Sequence, residues 1–218
     1  MSVAGKKETG IIKNGTGEKA AGRTNAYLNA ALFISKKLPS LLKKQRRLRM
    51  IRDSGPIRYT EEMAIADLSE VTVRMDSERV QTSSLSNVPE KAAVMLEDGY
   101  ISKRQRQMDR EYQSACYELQ YTDWQLGMVD AAMKERMSAE ERVIYRSVFR
   151  HRMSLRQAHD SFMPMDSLWK TTHARDKSVL AVATEISVYE GDEEYKEFME
   201  LLLSESEKSA GEENDDGR

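Results

Sequence analysis

Large apolar residues recur every three or four positions through most of the chain, the spacing that places them on one face of an α-helix. One apolar stripe runs from Leu28 to Ile51 and a second from Met108 to Met133. The pattern predicts an all-α protein in which a helix beginning near Asn25 pairs with a long helix over residues 102–136. Neither helix is stable alone in water at that length, so pairing forms either an antiparallel hairpin or a coiled coil between two chains.

Proline, glycine and polar runs divide the first 137 residues. Residues 1–24 contain few large apolar side chains and are expected to be disordered. Pro39 predicts a kink or a break in the first helix, and Gly55-Pro56 ends it. Thr60 is the predicted N-cap of a short helix in residues 59–73. A polar linker near residues 75–88 and a small helix that Gly99 terminates complete the region 25–137.

Three shorter helices are predicted between residues 138 and 188. Ser138 and Glu141 have the spacing of a capping box for the first helix, and Ser154 caps the second. Asp166 is the predicted N-cap of the third, after a turn that contains Pro164 and Met165. The apolar residues expected to face the shared core are Val143, Ile144, Val148, Phe149, Leu155, Ala158, Phe162, Leu168, Val179, Val182 and Ile186.

This order of helices, with a tight turn before the last one, is typical of a helix-turn-helix that reads DNA. The third helix would enter a groove of double-stranded DNA, and the second would hold the backbone through Arg156 and Gln157. Trp169 either packs into the core or faces DNA. The remaining predicted contacts are Asp166, Ser167, Lys170, Thr171, His173, Arg175 and Lys177.

Charge is distributed unevenly along the chain. Residues 181–218 contain three basic and 13 acidic residues, which leaves 31 basic and 23 acidic residues in residues 1–180. The basic body favours a polyanionic partner, and residues 189–218 form an acidic tail that either folds back on it or only aids solubility. A run within the first helix is a possible second basic surface, or the solvated side of an amphipathic helix, and consists of Lys43, Lys44, Arg46, Arg47 and Arg49.

Signatures of catalysis are missing from the sequence. The histidines His151, His159 and His173 do not form a metal-binding pair, and there is no HExxH motif, P-loop or glycine-rich phosphate loop. Cys116 is the single cysteine, so a disulfide within the chain is excluded. We therefore expect a cytoplasmic protein that is not an enzyme, binds no metal or cofactor and does not associate with a membrane.

The run MSAEERVIYRSVFRHRMSLRQAHDSF followed by MPMDSLWKTTHARDKSVL resembles region 4 of bacterial sigma-70 factors. It is more similar to the sigma-like regulators of phages and prophages of the RinA and ArpU type, and residues 80–100 resemble their polar linker. The resemblance implies a sigma region 4-like helix-turn-helix over residues 138–188, with residues 166–177 as recognition helix and residues 154–162 as its support. It further implies an activator of late or packaging genes that acts with bacterial RNA polymerase.

Two other functions fit the same sequence pattern. A small-terminase subunit, which recognises phage DNA for packaging, also joins a helix-turn-helix to a helical hairpin. A helical protein-interaction module could instead use the basic helix to contact an acidic partner, and a homodimer would follow if the long helices pair between two chains. The size of the assembly and the salt dependence of DNA binding would distinguish these alternatives.

Overall fold

The computed structural model describes residues 16–67 and 99–215, and their side chains over residues 24–67 and 99–210. The helices are α1 (Thr16–Ser54), α2 (Tyr100–Glu135), α3 (Ala139–Tyr145), α4 (Leu155–Phe162), α5 (Leu168–Val188) and α6 (Lys196–Asp215). A π-helix over Arg146–Arg150 continues α3, and a short helix covers residues 61–67. Within these ranges there is no strand, which confirms the predicted all-α class.

The chain forms two compact units. The small unit is residues 42–123, and the large unit combines residues 1–41 with residues 124–218. Helices α1 and α2 each contribute one segment to the small unit and another segment to the large unit. The predicted linker, the helix before Gly99, the end of the segment 59–73 and residues 1–15 lie outside the described residues.

Helix α1 is longer than predicted and is not broken by Pro39. It begins at Thr16, nine residues before the predicted start at Asn25, because Glu, Lys and Ala after Thr16 are good helix formers. Interior proline costs roughly 3 kcal/mol. The buried face on the N-terminal side of Pro39, which includes Ala31 and Ile34, offsets that cost through packing. Helix α1 ends at Ser54, as the sequence predicts, and Gly55 after it adopts a left-handed φ of 72°.

In the small unit, α1 and α2 lie antiparallel. The ammonium of Lys44 is 3.1 Å from a carboxylate oxygen of Glu118, and the hydroxyl of Tyr112 donates to the Arg52 carbonyl over 3.3 Å. Residue numbers therefore rise along α1 as they fall along α2. Thr60 caps the short helix by accepting a hydrogen bond from the Met63 amide. Antiparallel pairing within one chain is thus the arrangement that this structure contains.

Helix α6 lies in the predicted acidic tail, and the alternative in which that tail only aids solubility is wrong. Its residues Met199 and Leu202 are buried in the large unit. The Trp124 ring stacks on Tyr195 with a centroid distance of 6.0 Å and meets Phe198 at 5.8 Å. Acidic side chains such as Glu197 and Glu200 occupy the exposed side of the same helix. The segment is therefore part of the core, because a few apolar residues at helical spacing bury enough surface to dock it.

Candidate nucleic-acid interface

Helices α3, α4 and α5 pack around one apolar cluster and form what we call the three-helix unit (residues 138–188). The cluster consists of Ile144, Ala158, Met163 and Ala174, with Val148 and Met153 packed against it. Ile144 and Ala158 were among the predicted core residues. This cluster fixes the position of α5, whose outer face is the candidate interface.

Both predicted capping residues are confirmed at the starts of α3 and α4. The amide of Glu141 donates to the Ser138 hydroxyl, and the Ser138 amide donates to the Glu141 carboxylate. Ser154 and Gln157 make the same reciprocal pair, with distances of 3.2 and 2.9 Å. Gln157, predicted to contact the DNA backbone, thus uses its side-chain oxygen in the cap and keeps its amide nitrogen as a donor.

The predicted start of α5 is wrong by one residue. Ser167, not Asp166, is the N-cap residue, and the helix begins at Leu168. The carboxylate of Asp166 instead lies 3.2 Å from the ammonium of Lys170.

Several residues of the three-helix unit that were predicted to face the core are exposed. Leu168, the predicted apolar anchor, is 45% exposed. Phe162 is exposed, and the next residue, Met163, is buried in its place. Val143 was predicted to face inward but lies at the surface of α3. These corrections leave an apolar corner between α4 and α5 that consists of Phe162, Met165 and Leu168.

Thr171 was a predicted DNA contact, but the structure buries it completely. Its hydroxyl oxygen lies 2.9 Å from Nδ1 of His159 and 3.7 Å from the sulfur of Met163. The threonine therefore joins α5 to the end of α4. Thr171 therefore helps to hold α5 in place and cannot contact a ligand, because its side chain is fully buried.

Three residues form an exposed row along α5: Trp169, His173 and Lys177. They are spaced four apart, which places them on one face of the helix, opposite the buried Thr171 and Ser178. Trp169 is 70% exposed, so the alternative in which it packs into the core is wrong. Its ring stacks on the imidazole of His173 with centroids 5.0 Å apart and planes 10° from parallel. We call these residues the outer row of α5.

The other predicted contacts surround the outer row with polar and charged groups. Ser167 is exposed at the N-cap, and Arg156 is exposed in the first turn of α4. Lys170 lies between two carboxylates, those of Asp166 and Glu140, the second at 3.8 Å. Arg175 pairs with the neighbouring Asp176 at 2.6 Å. A polyanion would therefore have to replace these ion pairs before using Lys170 or Arg175.

Sequence reasoning predicted Arg156 as a DNA contact but missed four further arginines on the three-helix unit. Residues 142–156, the arginine segment, contain no acidic residue. Four of its arginines are exposed and Arg142 is half-buried, and none forms an ion pair with another described residue. The fourfold spacing of the first three was the available signal. The arginines are Arg142, Arg146, Arg150, Arg152 and Arg156.

The second predicted basic surface lies on the part of α1 in the small unit. Two of its five cations face acidic residues of α2: Lys44 pairs with Glu118, and Arg49 lies 3.0 Å from Asp123. These two help to hold the helices together. Within the described residues no ion pair involves the other three, which are exposed: Lys43, Arg46 and Arg47.

The described part of the chain contains no group of three or more His, Cys, Asp or Glu side chains placed to hold a metal ion. Among the described helices, none has the length and apolar composition needed to span a lipid bilayer. Comparisons with models of protein families, with characterised proteins and with solved structures found no match to the chain.

Proposed function

We propose that this protein is a sequence-specific transcriptional regulator that binds double-stranded DNA through the outer row of α5. One observation carries the proposal: α5 is anchored by its buried face, while Trp169, His173 and Lys177 project from the opposite face. Trp169 is 70% exposed and stacks on His173, and an exposed tryptophan favours a binding surface because this side chain is enriched at interfaces.

The dimensions and chemistry of α5 suit a major groove. The helix has 21 residues and extends over roughly 32 Å, and the major groove is wide enough to admit an α-helix. Lys177 and His173 supply donors for base edges or phosphates, and Trp169 supplies an apolar surface for thymine methyl groups. The resemblance to sigma-like phage regulators further supports an activator of phage late or packaging genes, with RNA polymerase as a second partner.

The test begins with selection of bound fragments from random duplex DNA, followed by affinity measurements on the enriched sequence. We expect a salt-dependent complex that His173→Ala and Lys177→Ala each weaken roughly tenfold, because a good base contact contributes about 1–3 kcal/mol. Lys208→Ala is the matched control, since it removes an exposed lysine from α6. No enrichment in the selection, or equal affinity of all variants, would contradict the proposal.

The apolar corner favours a second candidate function, docking of a protein or assembly of copies. Met165 is 97% exposed and lies with Phe162 and Leu168 at the turn before α5. In a DNA-packaging subunit of the small-terminase kind, such a corner would contact the next subunit. Sedimentation measurements distinguish the two functions, because a packaging subunit forms a closed ring whereas the regulator stays a monomer or homodimer.

A further inference from the structure

Arg152 has an unusual backbone conformation. It follows the C-cap residue of the π-helix, His151, and has a φ of 55°, the only positive φ at a non-glycine residue among those described. The turn around it is closed by backbone hydrogen bonds, from the His151 amide to the Arg146 carbonyl and from the Met153 amide to the Ser147 carbonyl. These bonds require the left-handed conformation but make no use of the arginine side chain.

Glycine is the residue that this position favours. It is the commonest residue just beyond a helix C-terminus because it adopts positive φ without the steric cost of a Cβ atom. An arginine here therefore retains backbone strain that a glycine would relieve. A strained residue that is retained at such a position leads to the hypothesis that its side chain has a function.

The surroundings of Arg152 indicate what that function is. The arginine segment places exposed guanidinium groups of Arg146 and Arg150 before it and of Arg156 after it, without a carboxylate in the segment. None of these four exposed guanidinium groups forms an ion pair with a described residue, so their positive charge is available to an anionic partner. Guanidinium groups also match the geometry of phosphate oxygens.

We propose that Arg152, with Arg146, Arg150 and Arg156, binds phosphates of the DNA backbone beside the site that α5 reads. This inference rests on the proposed function, since it takes the same duplex as the partner. Duplex DNA presents one negative charge per roughly 1.7 Å of its axis, so it satisfies several arginines of one segment at once. These arginines set affinity, whereas the outer row of α5 sets sequence preference.

The decisive variant is Arg152→Gly, because it relieves strain and removes charge in one step. We expect its midpoint of urea unfolding to equal or exceed that of the parent protein. At about 0.1 M salt its affinity for the selected duplex should fall roughly three- to tenfold, and the slope of log affinity against log salt should decrease by about 0.9. Binding to a scrambled duplex should weaken by the same factor.

Two further variants separate charge from local structure. Arg152→Lys keeps the charge and should bind within about threefold of the parent. Lys208→Gly removes a lysine from the exposed side of α6 and should leave the salt slope unchanged. Arg146→Gln and Arg150→Gln should each reduce that slope by about 0.9 as well.

The outcomes distinguish this inference from the function on which it rests. If the parent protein binds no duplex, the proposed function fails and the inference fails with it. If the parent binds and Arg152→Gly keeps both affinity and salt slope, the phosphate contact is wrong while DNA reading by α5 stands. If polyglutamate displaces the DNA with similar affinity, the segment recognises an acidic protein surface and the inference is overturned.

Discussion

The hydroxyl of Ser35 lies 2.9 Å from the phenol oxygen of Tyr145, and both side chains are fully buried. Ser35 is in α1 and Tyr145 ends α3, so one hydrogen bond joins residues 110 positions apart. The contact anchors the three-helix unit within the large unit. Burial raises the pKa of the Tyr145 phenol to about 12, although the hydrogen bond with Ser35 opposes the shift.

This pKa predicts how stability depends on alkaline pH. In the unfolded chain the phenol titrates near 10, so folding keeps it neutral and its contribution is fully present below pH 10. The contribution is lost as pH rises from 10 towards 12. Tyr145→Phe should cost roughly 1 kcal/mol at neutral pH, because Ser35 loses its partner. Urea unfolding should show the difference between variant and parent narrowing with pH.

The double variant Ser35→Ala/Tyr145→Phe is the control for the serine hydroxyl that Tyr145→Phe leaves without its hydrogen-bond partner. The double variant replaces both polar groups and should recover part of the stability lost in Tyr145→Phe at neutral pH. Its stability should depend on alkaline pH as weakly as that of Tyr145→Phe, since neither variant contains the Tyr145 phenol. Parallel pH profiles for the parent and both variants would contradict the assigned pKa.

Adjacent leucines of α6 test whether the acidic segment is part of the core. Leu202 is fully buried, whereas Leu201 is 39% exposed. Leu202→Ala should lower the free energy of unfolding by roughly 2–4 kcal/mol through the cavity it leaves. Leu201→Ala should cost less than about 1 kcal/mol. Equal small effects of the two substitutions would mean that α6 does not dock in solution.

Ser154 tests the start of α4. Its hydroxyl accepts a hydrogen bond from the Gln157 amide, and the α4 that it caps carries Ala158 into the apolar cluster. Ser154→Ala should destabilise the protein by roughly 1 kcal/mol. Ser204→Ala, on the exposed side of α6, should change stability by less than about 0.5 kcal/mol. Thermal unfolding of both variants measures the difference.

Trp169 and Thr171 test the assignment of the two faces of α5. Trp169→Ala should leave the free energy of unfolding within about 0.5 kcal/mol of the parent, because the side chain is exposed. It should weaken binding to the selected duplex roughly five- to tenfold. Thr171→Val should lower stability by about 1 kcal/mol, since the His159 ring nitrogen loses its partner. A large loss of stability in Trp169→Ala together with weaker DNA binding in Thr171→Val would contradict the assignment of the buried and exposed faces.

Features that depend on a few neighbouring residues were predictable from sequence. The capping box of Ser138 and Glu141 involves residues three apart, and the end of α1 depends on the freedom of Gly55 to adopt positive φ. Such signals act through local backbone geometry and need no knowledge of the rest of the chain. The all-α class follows in the same way from helical spacing of apolar residues.

Which residues of α5 face the core was not predictable from the same kind of signal. Asp166 and Ser167 are both good N-cap residues, and Leu168 looks like a core residue in either case. The structure buries Thr171 instead, because its hydroxyl meets His159 and Met163 on α4. A choice between adjacent caps depends on which packing is better, so it requires both helices in place.

The sequence by itself determined where most helices lie and that basic residues predominate in residues 1–180 and acidic residues after them. Only the tertiary structure decided that Trp169 faces outwards and that α6 docks on Trp124. The physical reason is that spacing within a helix is a local property, whereas burial depends on surface supplied by residues far away in the chain. Composition suggested a solvated tail, but Met199 and Leu202 are buried in the large unit and belong to its core.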